Sequence, residues 1–161
     1  MRRVVLSLAA AATLGLPAAA DAQISASEDA TVSATIVAAL TLTKNADLDF
    51  GPVSLGSSAN VAFTDAAAAN WLADGEPNTS VTVTYPASIN LSNGTDVIAF
   101  TPDMGAHVDT QGSAASVASG ATVTLDGTNG EHQFWLGGGI TVGGGLSTGV
   151  YSGLFNLTVE Y

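Results

Sequence analysis

The sequence predicts an all-β sandwich, and three observations carry that reading. Short apolar runs recur along the chain with turn residues between them. Beyond residue 22, no stretch has the helical spacing of apolar residues. Both ends of the remaining chain alternate in polarity. Near the front, Ile24, Ala26, Ala30, Val32, Ala34 and Ile36 share one parity, against Ser25, Ser27, Asp29, Thr31, Ser33 and Thr35. At the end, Tyr151, Phe155, Leu157, Val159 and Tyr161 alternate with Ser152, Asn156, Thr158 and Glu160. In an extended strand such alternation puts one set on each face.

Each element follows from local residues. Residues 30–43 read as extended, and residues 48–53 as a short strand closed by Gly51-Pro52. Residues 60–64 form a further candidate strand, and residues 66–70 read as one helical turn or a loop. Residues 80–85 are a strong strand that Pro86 ends. Residues 89–91 lead through the hairpin signal Asn93-Gly94 to a returning strand, residues 97–101. Residues 102–116 read as polar and irregular. Residues 121–125 form a strand before the turn signal Asp126-Gly127. Residues 131–136 form an aromatic strand, and residues 140–142 a short one between two glycine triplets. Those triplets suit bends, bulges or close backbone approach. Residues 149–161 read as the last strand.

The first residues look like a leader rather than part of the fold. Arg2 and Arg3 precede an apolar run, residues 4–16, that is too short to span a bilayer. Pro17 closes it, and Ala20-Asp21-Ala22 offers small residues for cleavage, with Ala18-Ala19-Ala20 as a nearby alternative. This is the pattern of a secretory signal peptide over residues 1–22. The expected organisation is then an N-terminal extension, residues 23–37, and one sandwich domain, residues 38–161.

The full chain has 3 basic and 14 acidic residues. Without the leader, Lys44 faces 13 acids, a net charge of −12. Such a chain has no electrostatic grip on nucleic acid or an anionic membrane. No second long apolar run follows, so no membrane insertion is expected. There is no Cys, so stability must come from a core, a metal or neighbours rather than from disulfides.

Residues 24–42 keep even positions apolar almost throughout, with Glu28 as the exception. Val37 and Ala39 interrupt the polar odd set. The segment reads as one ribbon whose first part leaves its domain and whose second part enters it from about Ala38. Extended, residues 24–36 reach roughly 40 Å, enough to lie along a neighbouring domain.

Three stretches together carry a family resemblance. They are Ala34-Thr35-Ile36-Val37 with Leu40-Thr41-Leu42-Thr43-Lys44 and Leu48-Asp49-Phe50-Gly51; then Val81-Thr82-Val83-Thr84-Tyr85-Pro86 with Ile89-Asn90-Leu91-Ser92-Asn93-Gly94; and residues 149–161. They resemble a family of small secreted bacterial β-domains, DUF4402. The layout is also similar to spore-coat-U-like and chaperone–usher pilins. That resemblance implies an immunoglobulin-like sandwich lacking one strand. The N-terminal segment of one subunit would complete the next, after a periplasmic chaperone and an outer-membrane usher have handled it. By position, Ile24, Ala26, Ala30, Val32, Ala34 and Ile36 would donate. Tyr151, Phe155, Leu157, Val159 and Tyr161 would form one wall of the acceptor groove. The expected partners are copies of the chain in a filament, and the expected location is the cell surface after passage through the periplasm. The chain departs from many such pilins in having no Cys.

Catalytic and ligand signals are weak beside this. Gly145-Leu146-Ser147-Thr148-Gly149 matches a nucleophile elbow, but both His107 and His132 precede the serine, and a β-strand follows it. A turn explains the match, and no enzyme is expected. The two histidines lack ligand spacing and read as surface or rim residues. Asp47 with Asp49, or Asp74 with Glu76, offers oxygen ligands for a weak Ca²⁺ site or is solvated loop charge. No cofactor is expected. Lys44 is either an isopeptide donor or half of a surface ion pair with Asp47. Trp71, Phe134 and Trp135 offer a stacking platform for sugars if a ring is exposed. The runner-up function is therefore a monomeric secreted module binding a glycan or Ca²⁺, with its N-terminal segment paired inside its own sandwich.

Overall fold

Antiparallel pairing organises the chain wherever an alternating segment finds a neighbour. A computed structural model describes residues 26–161; the expected leader, residues 1–22, and the expected donor residue Ile24 lie outside the described residues. The strands are β1 (Thr41–Ala46), β2 (Ser58–Val61), β3 (Ala69–Asp74), β4 (Ser80–Thr84), β5 (Ile89–Ser92), β6 (Val97–His107), β7 (Ala115–Ser116), β8 (Ala121–Thr124), β9 (Glu131–Thr141) and β10 (Thr158–Glu160). The larger sheet has the order β1-β3-β9-β6-β5, with β2 also on β9 and β7 on β6. The smaller sheet has the order β10-β4-β8. Among the described residues the only helical element is one 3-10 turn, Gln111–Ser113. The fold is an all-β sandwich.

All strands belong to the unit Thr35–Tyr161. The described part of the unit Met1–Ala34 has neither strand nor helix, and its residues are exposed. Two turns behave as their sequences predict. The β5–β6 connection is closed by Asn93, whose Oδ1 accepts the Thr95 and Asp96 N–H groups at 2.9 and 2.7 Å. After β8, Asp126 accepts from the Thr128 and Asn129 N–H groups. In β4, Val81 and Val83 are fully buried while Ser80, Thr82 and Thr84 are exposed. Val83 packs in the core cluster that holds Phe100, Met104, Phe134 and Leu136.

Several expectations are corrected. Of the stretch expected to enter the domain from about Ala38, only the part from Thr41 on pairs in a ladder. Residues 48–53 form no ladder: Gly51 has φ +64, which breaks the extended run, and no strand lies alongside. The expected strand at residues 60–64 is shifted to Ser58–Val61; of residues 66–70, read as one helical turn or a loop, 66–68 form a turn and β3 begins at Ala69. The last strand is reduced to Thr158–Glu160 plus an isolated Ser92–Ser152 bridge.

Two breaks expected from sequence are bridged. β6 continues through Pro102 to His107, because β5 pairs only as far as Phe100 and β7 begins only at Gly105. The interval between those two partners tolerates a residue without an N–H. β9 runs through Gly137-Gly138-Gly139, joining two expected strands. A Cβ at Gly137 would overlap the Val61 carbonyl oxygen and crowd the Phe63 nitrogen, so backbone approach selects the glycine. At Gly138, φ is +143 and a Cβ would meet the Thr101 carbonyl oxygen.

His132 is buried rather than on the rim, at 8% exposure. Its Nδ1 lies 3.0 Å from the Thr124 carbonyl oxygen, which only accepts, so Nδ1 carries the proton. Burial is the main cause holding its pKa below the ordinary histidine value, and His107 adds to it. A base with a depressed folded pKa is uncharged in the fold and takes up a proton more readily when unfolded. Its contribution is complete above the unfolded value of about 6.5 and declines as pH falls below that. Melting temperature should therefore fall from pH 7 to pH 5 more steeply in the native chain than in His132→Gln. Calorimetry across that range checks the difference; equal slopes would mean that His132 does not report on unfolding.

Candidate functional site

Among the described residues each sheet ends on a strand paired on one side only, and an apolar groove lies beside β1. Among the described residues, β1 pairs only with β3, and β10 only with β4. Chain leaving β1 supplies one lip, residues 47–55, and chain approaching β10 supplies the other, residues 147–155. Neither lip forms a ladder, apart from the Ser92–Ser152 bridge. Between them lies a cavity of about 960 Å³. Its floor is the sandwich interior itself, with Trp71, Ile89, Leu91, Phe100, Ile140 and Val142 in its lining. The core is thus reachable along one side, where an unpaired edge would otherwise be covered.

Alternation on the second lip sets what it presents. Tyr151 and Phe155 pack against the core, and a Cβ at Gly153 would strike the Asn90 carbonyl oxygen, so the odd positions face inward. Val150 and Leu154 face outward at 86% and 97% exposure. The Phe155 ring is 6.1 Å from Trp71, 6.0 Å from Tyr85 and 6.5 Å from Phe100. On the first lip, Leu48, Phe50 and Val53 turn inward, and Phe50 meets Phe100 edge-on at 5.9 Å.

Polar groups pin the ends of the lips. Asp96 accepts from the Ser147 N–H at 2.8 Å, and the Tyr151 hydroxyl donates to the Ser147 carbonyl oxygen at 2.8 Å. The Ser147 hydrogen bond holds the Asp96 carboxyl below its usual range, and burial together with Asp96 raises Tyr151. At the far end of the chain, the Tyr161 hydroxyl donates to Ala38 O at 2.8 Å and accepts from Glu76 N at 2.7 Å. Lys44 lines the groove and pairs with Asp47.

The sequence-expected wall divides accordingly. Tyr151 and Phe155 line the groove, Leu157 is buried in the core and Val159 packs beside it, while Tyr161 ties the end of the chain to Ala38 and Glu76. Of the expected donor residues, Ala26, Ala30, Val32, Ala34 and Ile36 are exposed and outside any ladder, with Val32 at 94% and Ile36 at 93% exposure. Sequence reasoning missed the first lip as a groove wall, although its alternation of Asp47 and Asp49 with Leu48 and Phe50 was visible. It also missed the tie from Asp96 to Ser147, which spans 51 positions.

The other candidate residues are covered or hydrogen-bonded within the chain. Trp71 and Trp135 are 8% and 5% exposed, so neither ring stands free on the outer surface, and Trp71 belongs to the groove lining. The second face of the large sheet is covered around Trp135 by Val61, Ala68, Phe50 and Phe63, which is why both faces of β9 bury aromatics. His107 Nδ1 accepts from the Asp109 and Thr110 N–H groups. Asp49 accepts from Gly51 N, and Glu76 from Ala38 N. Among the described residues, no group of three or more His, Cys, Asp or Glu side chains is placed to hold a metal. No helix of the described residues is long and apolar enough to cross a membrane.

These features define an all-β sandwich with an open, apolar groove along one side. The chain belongs to the family described as "Domain of unknown function (DUF4402)", whose model matches residues 40–161. No curated protein matches it.

Proposed function

We propose that this chain is a secreted, non-enzymatic structural subunit of a bacterial surface filament, with an immunoglobulin-like sandwich that assembles by donor-strand exchange. The single observation that carries this reading is the open groove between residues 47–55 and 147–155, floored by core side chains. A second copy's residues 24–36 have the complementary pattern, apolar on one face and polar on the other. Pairing would satisfy the free backbone groups of the lips, and alternate side chains would enter the groove. Burying Val32 and Ile36 contributes about 1.5–3 kcal/mol each before ordering costs. Residues 1–22 serve as the signal peptide in this reading, and a periplasmic chaperone and outer-membrane usher would guard the groove before assembly.

The test is an unheated denaturing gel of the secreted chain. A ladder of assembled copies that collapses on boiling is expected from the native chain. A chain keeping its leader but lacking residues 23–36 should run as a single band. A ladder that survives this deletion would sink the reading.

A further inference from the structure

The groove has a direction written in charge. Lys44 is the only Lys or Arg in residues 26–161, and it lines the groove. Its level is fixed by two facts: it stands opposite Trp71 in the β1–β3 ladder, and Trp71 lies 6.1 Å from Phe155. The Phe155 end of the second lip is therefore the end with a cation. At the other end Ser147 is bonded to the Asp96 carboxylate.

The donor segment is also directional. Glu28 is the one charged residue on its apolar parity, at the N-terminal side of Ala30, Val32, Ala34 and Ile36. Residues 28–36 are as long as the lip 147–155, about 30 Å when extended. Laid antiparallel to that lip, Glu28 falls opposite Phe155 and Ile36 opposite Ser147. Ala30 and Ala34 then face Gly153 and Gly149, and Val32 faces Tyr151. Laid parallel, Glu28 would fall opposite Ser147, at the end of the lip away from Lys44. A slip of two residues would move Glu28 away from Lys44 and set Val32 against a glycine.

We infer that an intermolecular ion pair between Glu28 of one copy and Lys44 of the next fixes the polarity and register of the inserted strand. The pair rests on the strand-donation reading and adds to it. Lys44 carries three N–H donors and gives one to Asp47, an exposed neighbour three positions on, so it retains donors for a second carboxylate. Asp47 and Asp49 line the same lip, and Lys44 is the one cationic group that a donor carboxylate meets in the groove lining. Glu28 thus departs from the apolar pattern at the level of the groove where Lys44 stands.

Carbodiimide treatment of native assemblies tests this directly, since it joins a carboxylate to an amine in contact, and Lys44 is the only lysine. The expected product is a boiling-resistant ladder whose proteolytic peptides carry Lys44 joined to Glu28. Charge reversal gives a second measurement. Lys44→Glu alone and Glu28→Lys alone should each lower assembly about fivefold, and both changes in one chain should restore it. A native ladder without the Lys44–Glu28 product, or with no recovery in the double variant, would overturn the pair and leave strand donation standing. Absence of any ladder from the native chain would overturn both.

Discussion

Aspartate at both Val32 and Ile36 should abolish the ladder of assembled copies while leaving the chain secreted. Both side chains are exposed in the single chain, so their replacement removes no packing from its own sandwich. In the assembled state each would occupy the apolar groove. Losing their burial removes about 1.5–3 kcal/mol per residue, and an unpaired carboxylate against Tyr151 adds a desolvation cost of similar or greater size. The combined effect, about 5 kcal/mol or more, lowers assembly by over a thousandfold. Ser33→Asn and Thr35→Asn alter the outward face and should change assembly by less than about threefold. The measurement is ladder intensity on an unheated gel beside total secreted chain. Equal loss from the inward and outward pairs would contradict a strand with one buried face.

The second large effect concerns the fold. Gly137→Ala should destabilise the domain by about 3 kcal/mol, lowering the melting temperature by about 10 °C. The added methyl would overlap the Val61 carbonyl oxygen and crowd Phe63 N, and both are backbone atoms that move only with β2 and the segment behind it. Two positions along, a Cβ at Gly139 meets only the Ala59 carbonyl oxygen at 3.7 Å, an ordinary contact. Gly139→Ala should therefore stay within about 1 kcal/mol of the native chain. Thermal unfolding of the two variants side by side separates backbone crowding from a general need for glycine in this strand.

Elements whose cause is local were legible in the sequence. The alternation of Ser80 to Thr84, the Asn93-Gly94 turn and the Asp126-Gly127 turn each rest on neighbouring residues, and each stands where it was expected. Elements that depend on what lies alongside were not. Pro102 sits inside β6 because two partner strands leave an interval there, and no property of Pro102 announces that interval. The glycines of β9 mark crowding by β2 and Thr101, which only the folded arrangement reveals.

The groove falls between these cases. Tyr151 and Phe155 could be read from alternation at the end of the chain, because a strand with one inward face has a sequence signature. The opposite lip has the same signature in Leu48 and Phe50, but Gly51 interrupts it and no strand pairs with it. The nearness of Lys44 to the Phe155 end follows from the β1–β3 register and the Trp71–Phe155 contact. Neither is visible along the chain, so the meaning of Glu28 as an exception emerges only when the groove is in view.

The most direct test of strand donation is cryo-electron microscopy of the assemblies, read at the groove between residues 47–55 and 147–155. The expected result is an extended strand in that groove that traces to residues 24–36 of the neighbouring copy, with Val32 over Tyr151. A groove filled by the same copy's own N-terminal segment, or left empty between touching subunits, would contradict the account.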